Sequence, residues 1–168
     1  RYFLQAAQGE LDRSRRKDGR FAIALIDIDH FKLYNDTYGH AMGDQILKRF
    51  AGVLVAALRR MDTVARYGGE EFVMLLPETF GAGDGFDAVR LIERLRQAIE
   101  KADFLGGPKR IESPITISAG VVTYPRDGSD VNELLLEADA RMYRAKAAGR
   151  NRVCATPAPK EGESSTTP

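Results

Sequence analysis

Apolar positions along the chain switch between two periods, and the switches mark the elements. Across residues 1 to 18, Phe3, Leu4, Ala7 and Leu11 recur at helical spacing among Arg, Gln and Glu, which predicts a helix that Asp18-Gly19 stops. Phe21 to Asp29 then reads F-A-I-A-L-I-D-I-D, and so continuous an apolar run predicts a central strand, Phe21 to Asp27, covered on both faces. By the period of two, Asp27 shares a face with Phe21, Ile23 and Leu25. Asp29 is placed to cap a short helix beginning around His30, and Tyr38-Gly39-His40 breaks the chain. From Met42 to Arg59, Ile46, Leu47, Phe50, Val53, Leu54, Ala57 and Leu58 form one helical face, with Arg59 and Arg60 in the last turn. Thr63 to Ala65 and Phe72 to Leu76 read as strands joined at Gly68-Gly69, where a tight turn calls for positive φ, and Pro77 closes the hairpin.

The second half repeats the alternation. Gly81 to Gly85 is a loop, and Val89, Ile92, Leu95 and Ile99 make Phe86 to Lys101 an amphipathic helix. Gly106-Gly107-Pro108 is a turn, and Ile115 to Tyr124 is a β-branched strand in which Ser118, Ala119 and Gly120 allow close packing. Asp130 and Glu133 resemble a capping box opening a last helix, with Val131, Leu134, Leu135, Ala138, Met142 and Ala145 on one face and Gly149 as its stop. Arg152-Val153-Cys154 reads as a short final strand. Three or four helices and about five strands, with hairpins and crossovers mixed, predict an α/β sandwich on a central, antiparallel-containing sheet.

Composition narrows the function classes. With 168 residues and 43% hydrophobic content the chain suits one domain, residues 1 to 155, and the Pro-, Ser-, Thr-, Glu- and Gly-rich remainder, 156 to 168, is expected to be disordered. A formal net charge of +1 argues against a DNA or RNA binder held by phosphate neutralisation. The single cysteine, Cys154, excludes an intrachain disulfide framework or a multi-cysteine metal site. No apolar run approaches the roughly 20 residues of a membrane span, so a soluble, cytoplasmic domain is expected, within an intact protein that membrane anchoring elsewhere would still permit.

Candidate chemistry lies in two acidic stretches. Glu70 and Glu71 follow the glycine pair directly, which on spacing alone is equally a solvated hairpin tip. Asp27, however, ends a buried strand. Carboxylates at the end of such a strand and at a neighbouring glycine turn can assemble an oxygen-ligand site for Mg²⁺.

The pairing of D-I-D-H-F-K-L-Y-N-D (Asp27 to Asp36) with R-Y-G-G-E-E-F (Arg66 to Phe72) resembles the GGDEF family of diguanylate cyclases in its Gly-Gly-Glu-Glu-Phe form, from about Arg1 to Val153. The resemblance implies the palm-like fold of nucleotidyl cyclases. It implies condensation of two GTP into cyclic di-GMP with release of two pyrophosphates, across a homodimer, with two Mg²⁺ per site or Mn²⁺ in their place. Asp27, Glu70 and the carbonyl of Ile28 match the family's metal ligands, while Glu71 matches a second acid, either ligand or proton acceptor. Asn35 and Asp44 match the guanine readers; by themselves they could equally end one helix and open the next. The amides of Phe31 and Lys32 match the phosphate cradle, where a helix start favours anions. Lys146 and Arg150 match the basic pair near the end of the last helix.

Arg59-Arg60-Met61-Asp62 fits an Arg-x-x-Asp pattern placed as in members with a product-inhibition site, so Arg59 and Asp62, with Arg90 as a second contact, are the expected inhibitory cyclic di-GMP residues. His30 and His40 are taken as structural. The first residues resemble the tail of the family's opening segment, so a piece of a longer protein is expected, its N-terminal regulatory domain lying outside the chain. The competing function is a domain without turnover that senses GTP or cyclic di-GMP; the presence of both glycines and every matched carboxylate favours the enzyme.

Overall fold

The computed structural model describes residues 1–78, 86–104 and 114–155. Helix α1 (Tyr2–Lys17) leads into strand β1 (Phe21–Ile28), followed by α2 (Phe31–Tyr38), α3 (His40–Ala57) and the hairpin β2 (Thr63–Gly68) and β3 (Glu71–Pro77). Then come α4 (Phe86–Lys101), β4 (Ile117–Tyr124), α5 (Val131–Ala147) and β5 (Arg152–Cys154). The sheet order is β2-β3-β1-β4-β5. β1 pairs antiparallel with both β3 and β4, and only β4–β5 is parallel. The α/β sandwich on an antiparallel-containing sheet of five strands is the architecture that the periodicity predicts, but among the described residues the helices number five and not three or four, because the short α2 is separate from α3.

All eight residues of β1 are buried because helices cover both faces. Ala22, Ala24, Ile26 and Ile28 join a core with Ile46, Phe50 and Leu54 of α3 and Ile92, Leu95 and Ile99 of α4. Phe21, Ile23 and Leu25 join a second core with Phe3, Ala7 and Leu11 of α1 and Leu134, Ala138 and Met142 of α5. Leu4, one of the predicted apolar points of α1, is instead exposed. The close packing expected around Gly120 is explicit: a Cβ there would overlap the carbonyl oxygen of Ala138 and stand 2.5 Å from the amide nitrogen of Met142. The backbone of α5 therefore lies directly on β4, which sets how far the end of α5 reaches along the sheet.

Several boundaries differ from the pattern. Gly68 ends β2, so the hairpin turn is Gly69-Glu70, and neither glycine takes a left-handed φ. A register shift between Arg66 and Gly68 places Tyr67 in a bulge, which supplies the extra bend that the glycines were expected to provide. α3 begins at His40 and stops at Ala57, because Leu58 is extended (φ −87, ψ 146). Arg59 and Arg60 thus lie beyond the last turn of α3, in a tight turn closed by the amide of Asp62 on the carbonyl of Arg59. Asp130 caps α5 through the amides of Asn132 and Glu133, but Glu133 reaches back chiefly to the amide and hydroxyl of Ser129, one residue earlier than a capping box requires. The predicted turns at 81–85 and 106–108 and the disordered tail from 156 lie outside the described residues.

Candidate active site

Strand pairing brings the two acidic stretches together. Asp27, 6% exposed, sits opposite Glu71 of β3 on one side and Ser118 of β4 on the other. The amide of Ile28 donates to the carbonyl of Glu70 at 3.4 Å, stitching the hairpin tip to the end of the central strand. Because Gly120 lets α5 lie on β4, Lys146 in its last turn reaches the same point, with Nζ 2.8 Å from Asp27 Oδ2. Asp27, Ile28, Glu70, Glu71 and Lys146 therefore form one group.

Its electrostatics are unbalanced. Burial pushes the Asp27 carboxyl above its ordinary value; Lys146 pulls it down, Glu70 and Glu71 push it up, and the net shift is upward. Burial is the largest cause, and one ammonium does not offset it together with the two neighbouring acids. The carboxylates and the carbonyl of Ile28 are hard oxygen donors of the kind Mg²⁺ takes. Among the described residues no three His, Cys, Asp or Glu side chains are grouped as a metal centre. The donor chemistry nevertheless fits a divalent cation, which would favour the Asp27 carboxylate against the burial and the neighbouring acids that raise it.

Asp29 has a different role from the predicted cap. Helix α2 starts at Phe31, so its N-cap position falls on His30, which is left-handed (φ 57) and makes no side-chain cap. Standing one residue too early, Asp29 turns inward, 2% exposed, and accepts from Thr116 Oγ1 and Ser118 Oγ at 2.7 Å each and from the amide of Asn151 at 3.0 Å. Asn151 is held in turn by Arg96 Nη1 at 2.6 Å and by its own bond to Glu100 at 2.8 Å. The left-handed pair Arg150-Asn151 (φ 61 and 46) after α5 is thereby fastened beside the end of β1. Sequence reasoning missed Thr116 and Asn151 and gave Ser118 only a packing role; polar residues 87 to 122 positions away from Asp29 carry no local signal.

Next to this cluster the first turn of α2 presents the amides of Phe31 and Lys32, which have no acceptor inside the helix. Asn35 of α2 is half-buried and packs over Gly43, the residue before Asp44. Asp44 is exposed and lines a groove of about 530 Å³ between α3 and the hairpin, with Leu47, Lys48, Arg66 and Phe72 on its walls.

Arg59 and Asp62 lie apart, at the start of β2. Five residues of strand, roughly 17 Å, separate them from Gly68. Arg59 makes a paired contact with Asp62 (Nη2–Oδ1 3.0 Å, Nε–Oδ2 3.2 Å) and donates to the carbonyl of Pro77 at 3.2 Å. They border a groove of about 410 Å³ with Tyr2, Leu58, Arg60 and Thr63. Arg90 is exposed on α4 and is not among the described residues lining that groove. His30 and His40 are exposed at the starts of α2 and α3. No described helix is long and apolar enough to cross a membrane.

The family model described as "Diguanylate cyclase, GGDEF domain" matches residues 1–152. The chain is 45% identical over 148 residues to diguanylate cyclase DgcP of Pseudomonas aeruginosa, covering 86% of this chain and 20% of that protein. It is 39% identical over 143 residues to diguanylate cyclase A of Treponema denticola, covering 85% of this chain and 37% of that protein. It thus spans between a fifth and two fifths of the length of these relatives. Among solved structures, the GGDEF domain of YfiN from Pseudomonas aeruginosa matches with a TM-score of 0.84 at 30% identity, covering 92% of this chain and 93% of that one. The active GGEEF domain of a diguanylate cyclase from Vibrio cholerae gives 0.80 at 30% identity, with 90% and 92% covered. The coiled coil and GGDEF domain of DgcB from Caulobacter crescentus, solved in complex with c-di-GMP, gives 0.81 at 28%, with 92% and 78% covered. With a family match over nearly all of its described length, the chain belongs to the GGDEF domain family of diguanylate cyclases.

Proposed function

We propose that the domain is a diguanylate cyclase unit that joins two GTP into cyclic di-GMP and releases two pyrophosphates. The observation that carries this reading is the convergence of Asp27, Glu70 and Glu71 around one buried strand end, with a single ammonium, Lys146, against them. In each half-reaction the 3′-hydroxyl of one GTP loses its proton and forms a bond to the α-phosphorus of the other. The bond to pyrophosphate breaks.

Divalent metal, general for the family, would be held by Asp27, the carbonyl of Ile28 and Glu70, and would supply charge neutralisation and a more acidic hydroxyl. The remaining work belongs to the chain. The free amides of Phe31 and Lys32 bind the terminal phosphates; Lys146 and Arg150 bring cationic charge from the end of α5. Asn35 and Asp44 read guanine, since a carboxylate accepts from N1–H and the exocyclic amine and adenine offers no such pair. Glu71, opposite Asp27 in the sheet, is the second acid of the site, as ligand or proton acceptor.

Each domain presents one GTP, so turnover needs two copies face to face. GTP turnover with Mg²⁺, followed as cyclic di-GMP over a wide range of protein concentration, is expected to rise faster than linearly with enzyme and to vanish in Glu70→Gln. Strictly linear dependence removes the two-copy requirement; no product at any concentration, even with a dimerising coiled coil fused on, removes the cyclase reading.

Product feedback is proposed at the second groove, where the fork of Arg59 and the carboxylate of Asp62 are complementary to guanine edges and phosphate, with Arg90, which lies outside the described lining of that groove, as a further contact from α4. Cyclic di-GMP titrated into Arg59→Ala is expected to bind much more weakly than to the parent. Equal affinity removes the inhibitory site.

A further inference from the structure

Gly43 is buried in the first turns of α3, in a helix where glycine is normally a liability relative to alanine. Its φ is not left-handed, so backbone freedom does not explain it. What explains it is the side chain above. A Cβ on Gly43 would overlap Asn35 Oδ1, stand 3.0 Å from Asn35 Cγ and stand 3.2 Å from Phe31 Cζ. The amide of Asn35 occupies the volume in which residue 43 would carry its side chain. Because the obstructing atom is the end of a polar side chain and not backbone, alanine at 43 would be accommodated by rotating Asn35 out of its place.

We infer that Gly43 is a positioning residue for base recognition: it is the seat that holds the Asn35 carboxamide beside Asp44. The inference rests on the reading of Asn35 as a guanine contact, and it separates two effects that usually move together. Gly43→Ala should leave the fold intact, with a melting temperature equal to or above the parent's, while GTP affinity drops.

The test is a double-mutant cycle on GTP binding, measured by titration calorimetry with Ca²⁺ in place of Mg²⁺ to suppress turnover, with melting curves for every variant. Gly43→Ala is expected to weaken GTP binding by at least about tenfold, the scale of one lost hydrogen bond of the stronger kind. Asn35→Ala should weaken it similarly. In the Asn35→Ala background, Gly43→Ala should then have no further effect, because its only route to the ligand is gone. Equal losses from Gly43→Ala with and without Asn35, or a melting temperature below the parent's, would mean a general disturbance of α3 and overturn the inference. Parental affinity in Gly43→Ala, with Asn35→Ala impaired, overturns it while leaving the guanine reading of Asn35 standing. Parental affinity in Asn35→Ala overturns both.

Discussion

Two buried aspartates, each bonded to a cationic residue of α5, end with carboxyls shifted in opposite directions. The side chain of Asp27 is 8% exposed and meets Lys146; that of Asp127 is 1% exposed and meets Arg141. Burial pushes both carboxyls up. At Asp127 the Arg141 fork, with Arg126 and the amide of Thr123, outweighs it and holds the group below its ordinary value. Arg141 itself is fully buried yet satisfied, by Asp127, by Glu137 and by the carbonyls of Val121 and Ala155. At Asp27 one ammonium works against burial, the largest cause, and two neighbouring acids, and the carboxyl stays raised. A closed network is what ties α5 to β4 and to Ala155, just after β5. An open one keeps charge unspent for a ligand.

The largest effect should come from removing charge at the open cluster. Asp27→Asn is expected to cut cyclic di-GMP formation by roughly a thousandfold or more, the scale for groups acting directly on developing charge, and yet to melt no lower than the parent at neutral pH. A variant that loses both activity and stability would mean that Asp27 is a structural acid like Asp127. The closed cluster should behave conversely. Arg141→Met leaves Asp127 buried with only the half-exposed Arg126 and the Thr123 amide against it and is expected to cost about 3 kcal/mol in denaturant unfolding; a cost below about 1 kcal/mol would show that the network contributes little.

Lys146 lies between these extremes. Its side chain is 31% exposed, so the pair with Asp27 is partly solvated and adds little to stability. Lys146→Ala is expected to lower turnover about tenfold to a hundredfold, as for one lost charged contact to a reacting group, with the melting temperature nearly unchanged. Unchanged turnover would reduce Lys146 to a favourable charge at the end of a helix.

The same contrast explains what the sequence could tell. Strand β1 and the helical faces were legible because burial on two faces and on one face leaves different periods, and Asp27 was placed on the correct face of β1 by counting twos. The motif named residues that the strand pairing brings together, Asp27, Glu70 and Glu71, because hairpin and strand end are each local. Asp29 was misread because a cap and a core acid look alike from one side; its true partners, Thr116, Ser118 and Asn151, are brought to it only by the β1–β4 pairing and the turn after α5. Arg141 did leave a trace. It stands three residues after Ala138, on the apolar stripe of α5, and a charge in that position forecasts a buried partner, although nothing in the pattern names Asp127.

The smallest effect is the most discriminating, since it asks whether the two aspartates differ in sign and not only in degree. A carboxyl held low in the fold contributes stability that is present above its unfolded value, near 3.8, and lost as pH falls through its lower folded value. Asp127→Asn should therefore be less stable than the parent at neutral pH, with the gap closing as the pH drops below 3.8. A carboxyl held high does the reverse: ionised, it costs stability, and the cost fades as pH falls into the acid range and the fold takes up the proton. Asp27→Asn should be at least as stable as the parent at neutral pH, and its advantage should shrink on acidification. Unfolding free energies of parent and both variants between neutral and acid pH should give two difference curves that converge on zero from opposite sides. Curves converging from the same side would mean that Lys146 compensates Asp27 as fully as Arg141 compensates Asp127, and the open cluster would then hold no surplus charge with which to draw in a cation.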